Sequence, residues 1–249
     1  MASTAILSAL AQEQQGLVEQ LQGARLVRRA GRDFWLGTLH GQDVILALSR
    51  IGKVAAATTA TTLIEAFGAH RIVFTGVAGG LGTDVHIGDV VVATGFVQHD
   101  MDASPLFPRF EVPLYRQSGF ACDAGLSALL AQACASSLAG TAAGETVRPP
   151  RLHRGLIISG DQFLSDAQSS ASIQQALREA GMEPLAVEME GAAVAQVCHD
   201  YGIAFAAVRT ISDRSDEESA ISFQHFVTHV ASRYACAIVA HLLPLLPDA

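Results

Sequence analysis

A short apolar run leads directly into a cluster of glycines in the stretch Arg71-Ile72-Val73-Phe74-Thr75-Gly76-Val77-Ala78-Gly79-Gly80-Leu81-Gly82. The run is typical of a buried strand, and the segment before it, Lys53 to Phe67, has a helical pattern. Apolar runs and helical patterns alternate along the rest of the chain, which is the signature of βαβ units. We therefore predict an α/β protein with a mixed or largely parallel sheet.

The same patterns predict the other elements outward from this stretch. The predicted strands are Ala5 to Leu10, Asp33 to Leu39, Gln42 to Leu48, Arg71 to Thr75, Asp89 to Val97, Leu156 to Ser159, Leu185 to Val187 and Ile203 to Ile211. The predicted helices are Gln12 to Gln22, Lys53 to Phe67, Ala124 to Leu138, Ser170 to Ala180, Glu190 to Tyr201 and Ser222 to Leu245. The segment Met101 to Phe120 holds three of the eight prolines and is interpreted as an irregular excursion near a site or an interface.

The composition is that of one compact domain, residues 1–249. Half of the residues are hydrophobic and 16% are charged, a balance that provides a sizeable core and argues against disorder. The formal net charge of −8 offers no electrostatic footprint for a phosphate backbone. Nucleic acid is therefore not an expected partner.

The N-terminus and the cysteines predict a cytoplasmic protein. The first residues lack the basic region of a secretory signal, and no run of about 18 apolar residues is present, so no membrane span is expected. The four cysteines form no CxxC pair and lie in segments with a helical pattern. They are interpreted as reduced, buried thiols: Cys122, Cys134, Cys198 and Cys236.

Four carboxylates and the glycine cluster are candidates for chemistry because they follow predicted strands. Glu13 comes after the first strand, Glu188 and Glu190 follow a short late strand, and Asp213 follows another. In an open α/β sheet ligands bind outside the carboxyl ends of the strands, so these positions are expected to converge. The glycines suit a close approach of the backbone to a sugar or an anion, although a plain tight turn is equally consistent. Neither a Walker loop nor the dinucleotide-binding pattern fits them.

Most of these acidic residues have a structural alternative. Glu188 and Glu190 flank Met189 at the start of a predicted helix, where either charge would favour the helix dipole, or where a carboxylate would bind the paired hydroxyls of a ribose. Asp213, taken by itself, is equally consistent with an N-cap or an Asx-turn. The segment His99-Asp100-Met101-Asp102 lacks the spaced histidines of a metal site, so we predict neither a metal nor a cofactor.

Taken together, these segments resemble the 5′-methylthioadenosine/S-adenosylhomocysteine nucleosidases of the nucleoside phosphorylase superfamily. The resemblance spans nearly the whole chain, and the order and spacing of its motifs are specific. The matching motifs are Ala5 to Glu13, Gly52 to Ala57, Gly79 to Leu81, Ile87 to Val92, Gly155 to Asp161, Val187 to Glu190 and Arg209 to Asp213.

The resemblance implies a nucleoside phosphorylase-like fold, which is a single-domain, three-layer α/β/α arrangement with a central mixed, twisted sheet. It also implies a role for each matching residue and a small nucleoside as substrate. Asp213 would protonate N7 of adenine, helped by Ser212, and Glu13 would activate the attacking water. Met189 and Glu190 would hold the ribose. Phe163 would stack on adenine and Leu164 would offer its backbone, while Arg209 would lie near the ribose and the water. The other expected substrate-binding residues are Leu10, Val77, Ala78, Gly79, Val187 and Glu188, with Ile51, Leu106 and Phe223 as an apolar lining for the 5′ substituent.

The sequence departs from the family in two places. A serine is common where Val77 stands, so a hydroxyl near the ribose and the water is missing. The segment Asp100 to Pro113 also differs from the commoner form. Since members of the family place part of this region in a neighbour's site, the resemblance implies a homodimer in which the neighbour contributes to the 5′ pocket.

The expected chemistry requires the two principal carboxylates to be in opposite protonation states. Cleavage of a glycosidic bond leaves a purine anion, which departs poorly unless it is protonated, so Asp213 must carry a proton and its pKa must be raised. Glu13 must be ionised to activate water. Such a pair implies a bell-shaped dependence of activity on pH.

Three other functions compete with this hypothesis. A phosphorylase would need arginines for phosphate, but Phe74 stands beside the glycines where a basic residue would be expected, and Glu13 would repel phosphate. A nucleosidase for another 5′ substituent, such as aminodeoxyfutalosine or AMP, is the second. AMP is disfavoured because nothing strongly basic is expected near the 5′ end. A binding or storage protein that lost the chemistry is the third, and retention of Glu13 and Asp213 argues against it.

Overall fold

A computed structural model describes residues 3–139, 148–216 and 218–247 of the chain. Its strands are β1 Ser3–Ser8, β2 Gln22–Arg29, β3 Arg32–Leu39, β4 Gln42–Leu48, β5 Ala69–Gly80, β6 Val90–Gln98, β7 Gly119–Ala121, β8 Leu152–Ser159, β9 Pro184–Glu188 and β10 Ala204–Asp213. Its helices are α1 Ala11–Gln20, α2 Lys53–Phe67, α3 Ala124–Ala139, α4 Ala167–Glu179, α5 Gly191–Tyr201, α6 Ser219–His229 and α7 Ala231–Leu242, followed by a 3₁₀ turn, Leu243–Leu245.

Within the described residues, ten strands form one mixed sheet. The strand order is β10-β6-β8-β9-β5-β1-β4-β3-β2, with β7 added to β6. Strand β5 also pairs with β10, so that half of the sheet closes on itself. Strands β1, β5 and β10 are parallel, whereas the β2, β3 and β4 meander is antiparallel. The predicted mixed sheet is confirmed.

Two hydrophobic cores cover the two faces of the sheet. Successive residues of β5 alternate between them: Ile72 and Phe74 belong to the core beneath α2 and α5, and Val73 belongs to the core beneath α1, α3 and α7. This alternation is the two-residue period of a strand buried on both faces. It confirms the predicted three-layer α/β/α arrangement.

The tight-turn interpretation of the glycine cluster is wrong, because β5 continues to Gly80 and pairs there with β9. The close approach of a ligand to these glycines stays a prediction. Gly76 and Gly79 are also not in the left-handed region. They are required because their neighbours leave no room for a side chain: a Cβ at Gly76 would lie 3.1 Å from Glu13 Oε1, and a Cβ at Gly79 would lie 2.9 Å from Asp213 Oδ1.

Strands β2 and β7 and the terminal helix differ from the sequence prediction, and β7 is only three residues long. Strand β2 was not predicted because its edge position leaves it almost entirely exposed, and its arginines mask the apolar alternation. Such charges protect an edge strand from pairing with other chains. The predicted terminal helix Ser222 to Leu245 is interrupted at Val230, which ends α6 and caps α7.

No single helix in the described ranges is long and apolar enough to cross a membrane. The segments Ser222–Thr228 and Ala231–Leu245 satisfy the length and hydropathy of a span only when they are joined across a bend of 53°. The apolar face of α7 packs in the second core.

The four cysteines are free thiols, and their burial is uneven. Cys134 and Cys198 are buried as predicted, whereas Cys122 and Cys236 are half-buried. Burial raises the pKa of Cys122, Cys134 and Cys198 to about 12. These three thiols are therefore unreactive at neutral pH.

Candidate active site

A cavity of about 330 Å³ lies where the carboxyl ends of β1, β5 and β10 meet. The end of β9 reaches the same place because Val187 pairs with Gly79. Most of the predicted site residues line this cavity, as convergence at the strand ends requires. They are Leu10, Glu13, Ile51, Val77, Ala78, Gly79, Phe163, Leu164, Val187, Glu188, Met189, Glu190, Ser212, Asp213 and Phe223.

Asp213 is the last residue of β10, and its carboxyl is buried in the cavity wall. Oδ2 accepts a hydrogen bond from the Ser212 hydroxyl at 2.9 Å, and Oδ1 accepts one from the Ser215 N–H at 2.9 Å. The second bond is an Asx-turn, so that structural alternative is also true, whereas the N-cap alternative is wrong because α6 begins at Ser219. Burial raises the pKa of Asp213, which is the direction a proton donor requires.

Glu13 lies in the first turn of α1, after the end of β1, and lines the same cavity as Asp213. Its Oε2 accepts hydrogen bonds from the N–H groups of Ala9 and Leu10 at 2.8 and 2.9 Å, and its Oε1 accepts one from the Val77 N–H at 3.1 Å. Burial raises the pKa of Glu13, while these donors and the charge of Arg209 act in the opposite direction. Three backbone donors and a cation favour the ionised form.

Glu188 and Glu190 have different roles, which settles their sequence alternatives. Glu188 serves α5: it accepts hydrogen bonds from the N–H of Gly191 and pairs with Arg209 at 2.8 Å. Glu190 makes no capping bond; its Oε1 accepts a hydrogen bond from the Gly52 N–H at 2.9 Å. Burial, together with the adjacent charge of Glu188, raises the pKa of Glu190 to about 8.

Arg209, which was expected near the ribose and the water, does not itself line the cavity, and its position relative to a ribose stays a prediction. Its guanidinium is buried and packs 4.0 Å from the centre of the Phe74 ring. It donates hydrogen bonds to the carbonyls of Phe74 and Val208 and to Glu188 Oε2. Phe74, which occupies the position expected of a basic residue, therefore supports a cation whose charge is neutralised by Glu188.

The remaining wall of the cavity is apolar and partly open. The rings of Phe163 and Phe223 meet edge to face with their centres 5.6 Å apart, and Leu164 is buried beside them. Phe163 is 42% exposed and Ile51 is 56% exposed. Leu106 does not line the cavity of this chain; it is 84% exposed on the Pro-rich excursion.

Comparison with known proteins identifies the family of this chain. Residues 3–244 match the family model described as the phosphorylase superfamily. A 5′-methylthioadenosine/S-adenosylhomocysteine nucleosidase from Chromohalobacter salexigens is 37% identical over 240 residues, which is 96% of each chain. The chain belongs to this nucleosidase family. The predicted family is thereby confirmed.

Solved structures agree with the fold of this nucleosidase. The nucleosidase from Neisseria meningitidis, in complex with methylthio-immucillin-A, superposes with a TM-score of 0.87 at 34% identity, covering 99% of this chain and 100% of that one. The futalosine hydrolase of Helicobacter pylori superposes with a TM-score of 0.85 at 32% identity and covers 98% of both chains. The nucleoside phosphorylase-like fold is confirmed.

Three residues that line the nucleosidase cavity were missed by sequence reasoning: Ala9, Gln162 and Ser215. Ala9 contributes its backbone N–H to Glu13, which no side-chain pattern reveals. Gln162 directly precedes Phe163, so the position of Phe163 was an available signal. Ser215 lies two residues after Asp213 in a polar stretch, and only its burial distinguishes it.

The segment His99 to Asp102, where no metal was predicted, forms hydrogen bonds within the chain. Asp100 accepts hydrogen bonds from Lys53 Nζ at 2.6 Å and from the Asp161 N–H at 2.9 Å. Asp102 accepts one from the Ser104 N–H at 3.0 Å. Across the three described ranges, no group of three or more His, Cys, Asp or Glu side chains is placed to hold a metal ion.

Proposed function

We propose that this nucleosidase hydrolyses the N-glycosidic bond of 5′-methylthioadenosine and S-adenosylhomocysteine, releasing adenine and the 5-thio-ribose product. The observation that carries the proposal is the pairing of two buried carboxyls, Asp213 and Glu13, in one cavity with a third carboxyl, Glu190. The relatives' names supply the substrates. The residue roles below are proposals.

Asp213 acts as the general acid. Its carboxyl proton passes to N7 of adenine as the bond between N9 and C1′ breaks, so that the base leaves as a neutral molecule. Ser212 and the Ser215 N–H hold the two oxygens in place. Burial and the nearby charge of Asp216 both keep the proton on Asp213 before transfer.

Glu13 acts as the general base. It accepts a proton from the water whose oxygen bonds to C1′, and the reaction therefore ends with Asp213 ionised and Glu13 protonated. The Val77 side chain carries no hydroxyl to orient this water. The Val77 N–H instead orients Glu13 itself, and Glu13 Oε1 is the oxygen nearest the cavity glycines.

The remaining lining residues bind the two halves of the nucleoside. Glu190 and Met189 hold the ribose, and a protonated Glu190 both donates to one hydroxyl and accepts from its neighbour. Phe163 stacks on adenine, and the backbone of Leu164 binds its edge.

Hydrolysis rather than phosphorolysis is favoured by the charge of the cavity. Four carboxyls line it, and none of the described lining residues is Lys, Arg or His. Phosphate would meet like charge there, with no cation available because Arg209 is neutralised by Glu188. AMP is disfavoured for the same reason.

We expect adenine release from 5′-methylthioadenosine to proceed at the same rate in phosphate-free buffer and in phosphate buffer. The sugar product should be the free sugar rather than its 1-phosphate, which chromatography of the products distinguishes. A strict requirement for phosphate would overturn the hydrolase assignment.

A second substrate class, nucleosides with a larger 5′ substituent such as aminodeoxyfutalosine, is supported by the open apolar side of the cavity. Ile51 and Phe163 remain partly exposed there. The structural similarity to a futalosine hydrolase is consistent with this class. The same release assay, run on a panel of 5′-substituted nucleosides, ranks the two classes.

We also propose that a second copy of the chain covers this open side. Large apolar side chains are exposed on the start of α2 and on the Pro-rich excursion: Val54 at 79%, Leu106 at 84% and Leu114 at 87%. The Pro-rich excursion is the segment that the sequence predicted to lie near a site or an interface. Their burial by a second copy would place the partner's Leu106 near the 5′ end of the substrate.

Replacing Leu114 with Glu should convert the dimer into a monomer of about half the mass, because formation of the dimer would then bury a charged side chain in an apolar interface. Light scattering after size-exclusion chromatography measures the mass. Leu26→Glu, an exposed leucine on edge strand β2, is the matched control and should leave the dimer intact. A wild-type monomer would contradict the proposal.

The single-domain organisation over residues 1–249 and the cytoplasmic location are also proposed. One sheet incorporates strands from β1 to β10, which supports the first. The absence of a CxxC pair supports the second.

A further inference from the structure

Ser215 is a buried residue of the cavity wall that the proposed chemistry does not use through its side chain. It is 2% exposed and lines the cavity beside Asp213. Its Oγ has no hydrogen-bond partner among the described residues. Buried hydroxyls are normally paired, so an unpaired one on a residue that lines a cavity indicates a missing partner.

The backbone conformation of Ser215 is a second indication that its side chain has a function. Its φ is 54°, in the left-handed region, where glycine is favoured and a residue with a Cβ is strained. A glycine would relieve the strain and would leave no unpaired hydroxyl. Neither packing nor backbone geometry therefore explains the serine.

The hydroxyl is held next to the catalytic acid. The Ser215 N–H donates to Asp213 Oδ1, and both side chains approach the face of Gly79. A Cβ at Gly79 would collide with Ser215 Oγ and would lie 2.9 Å from Asp213 Oδ1. The Ser215 hydroxyl and the Asp213 carboxyl therefore both lie close to the position that a Cβ of Gly79 would occupy.

The covalent structure of adenine defines which group lies beside N7, the atom that Asp213 protonates. On the same edge of adenine, N7 and the 6-amino group are neighbours, one an acceptor and the other a donor. A group beside Asp213 along this edge meets the 6-substituent. A serine hydroxyl has two lone pairs with which to accept from an amino group.

We propose that Ser215 Oγ accepts a hydrogen bond from the 6-amino group of the bound purine, which makes Ser215 a determinant of base specificity. This inference rests on the proposed function, because it assumes that Asp213 faces N7. It adds a side-chain contact to the base recognition that Phe163 and Leu164 provide.

The test compares two substrates that differ only at position 6: 5′-methylthioadenosine and its analogue with hydrogen in place of the amino group. In Ser215→Ala, kcat/KM for the amino substrate should fall about three- to tenfold, the worth of one neutral hydrogen bond. For the hydrogen analogue it should change less than twofold. Ser215→Gly should behave in the same way and also relaxes the strained φ, so a folding defect in the alanine variant leaves the test intact.

Ser127→Ala is the matched control, because Ser127 is another buried serine with an unpartnered Oγ, on α3 away from the cavity. It should affect both substrates equally. An equal loss on both substrates in the Ser215 variants would overturn the inference, since the hydroxyl would then act only by supporting Asp213.

Calorimetry separates this inference from the proposed function. Wild-type protein should bind adenine more tightly than unsubstituted purine. Ser215→Ala should reduce the ratio of the Kd for purine to the Kd for adenine about three- to tenfold. If neither nucleoside is cleaved, the proposed function fails, while the ratio still decides the role of Ser215. An unchanged ratio would overturn it.

Discussion

Replacing Asp213 with Asn should lower kcat for adenine release by about 10² to 10⁴, the usual contribution of a general acid. Asparagine has the shape of aspartate and keeps an oxygen to accept from the Ser215 N–H, but it has no acidic proton for N7. Nucleoside affinity should therefore stay within about tenfold of the wild-type value. Steady-state release of adenine and equilibrium binding of 5′-methylthioadenosine measure the two quantities.

Asp43→Asn is the matched control for this variant. Asp43 is an exposed carboxyl on β4 that does not line the cavity, and its side chain accepts a hydrogen bond from Thr38. It should retain most of the wild-type kcat. Full activity in Asp213→Asn would exclude Asp213 as the acid, and loss of binding together with activity would indicate a role in holding the base.

Replacing Glu13 with Gln should also lower kcat by about 10² to 10⁴, because the amide has no basic oxygen for the proton of the attacking water. Glutamine can still accept from the backbone N–H groups around Glu13, so α1 should remain in place. Glu19→Gln, the exposed glutamate of the same helix, is the control and should be fully active.

The pH profile provides a second readout of this variant. Glu13 must be ionised, so wild-type kcat/KM should fall as the pH drops through its raised pKa. Asp213 must be protonated, so kcat/KM should fall again as the pH rises through the raised pKa of Asp213. The residual activity of Glu13→Gln should lack the decline on the acid side. A decline that persists would assign that limb to another group.

The two carboxyls also show how far sequence reasoning extends. Their positions after strands predicted that they would converge, and the cavity contains both. Their protonation states depend on neighbours distant in sequence. Arg209 and the Val77 N–H favour the ionised form of Glu13, whereas the nearby charge of Asp216 favours the protonated form of Asp213.

The acidic pair of β9 and α5 shows the same division. Sequence alone left helix capping and ribose binding open for both Glu188 and Glu190. The structure assigns capping to Glu188 because Arg209 and the start of α5 occupy its carboxylate. Only Glu190 is left with its carboxyl available to the cavity.

Errors in the sequence prediction arose where tertiary position overrides local pattern. Strand β2 has exposed arginines because it is an edge, and the glycine segment continues β5 because Gly79 and Gly80 pair with β9. The placement of Leu106 in the 5′ pocket stays a prediction, because Leu106 is exposed in the single chain. The sequence does not show whether an apolar residue is buried within its own chain or by a second chain.

The α/β class, most of the elements and the order of the motifs could be predicted from the amino-acid sequence, because hydrophobic period and glycine spacing are local properties. The family could be predicted in the same way, since the motifs shared with it span nearly the whole chain. The tertiary structure was needed to show that Arg209 does not line the cavity but pairs with Glu188, that Glu190 rather than Glu188 is available to a ligand, and that Ser215 Oγ is buried with no partner among the described residues. Burial, pairing and charge environment depend on residues brought together from distant parts of the chain, and no local pattern records them.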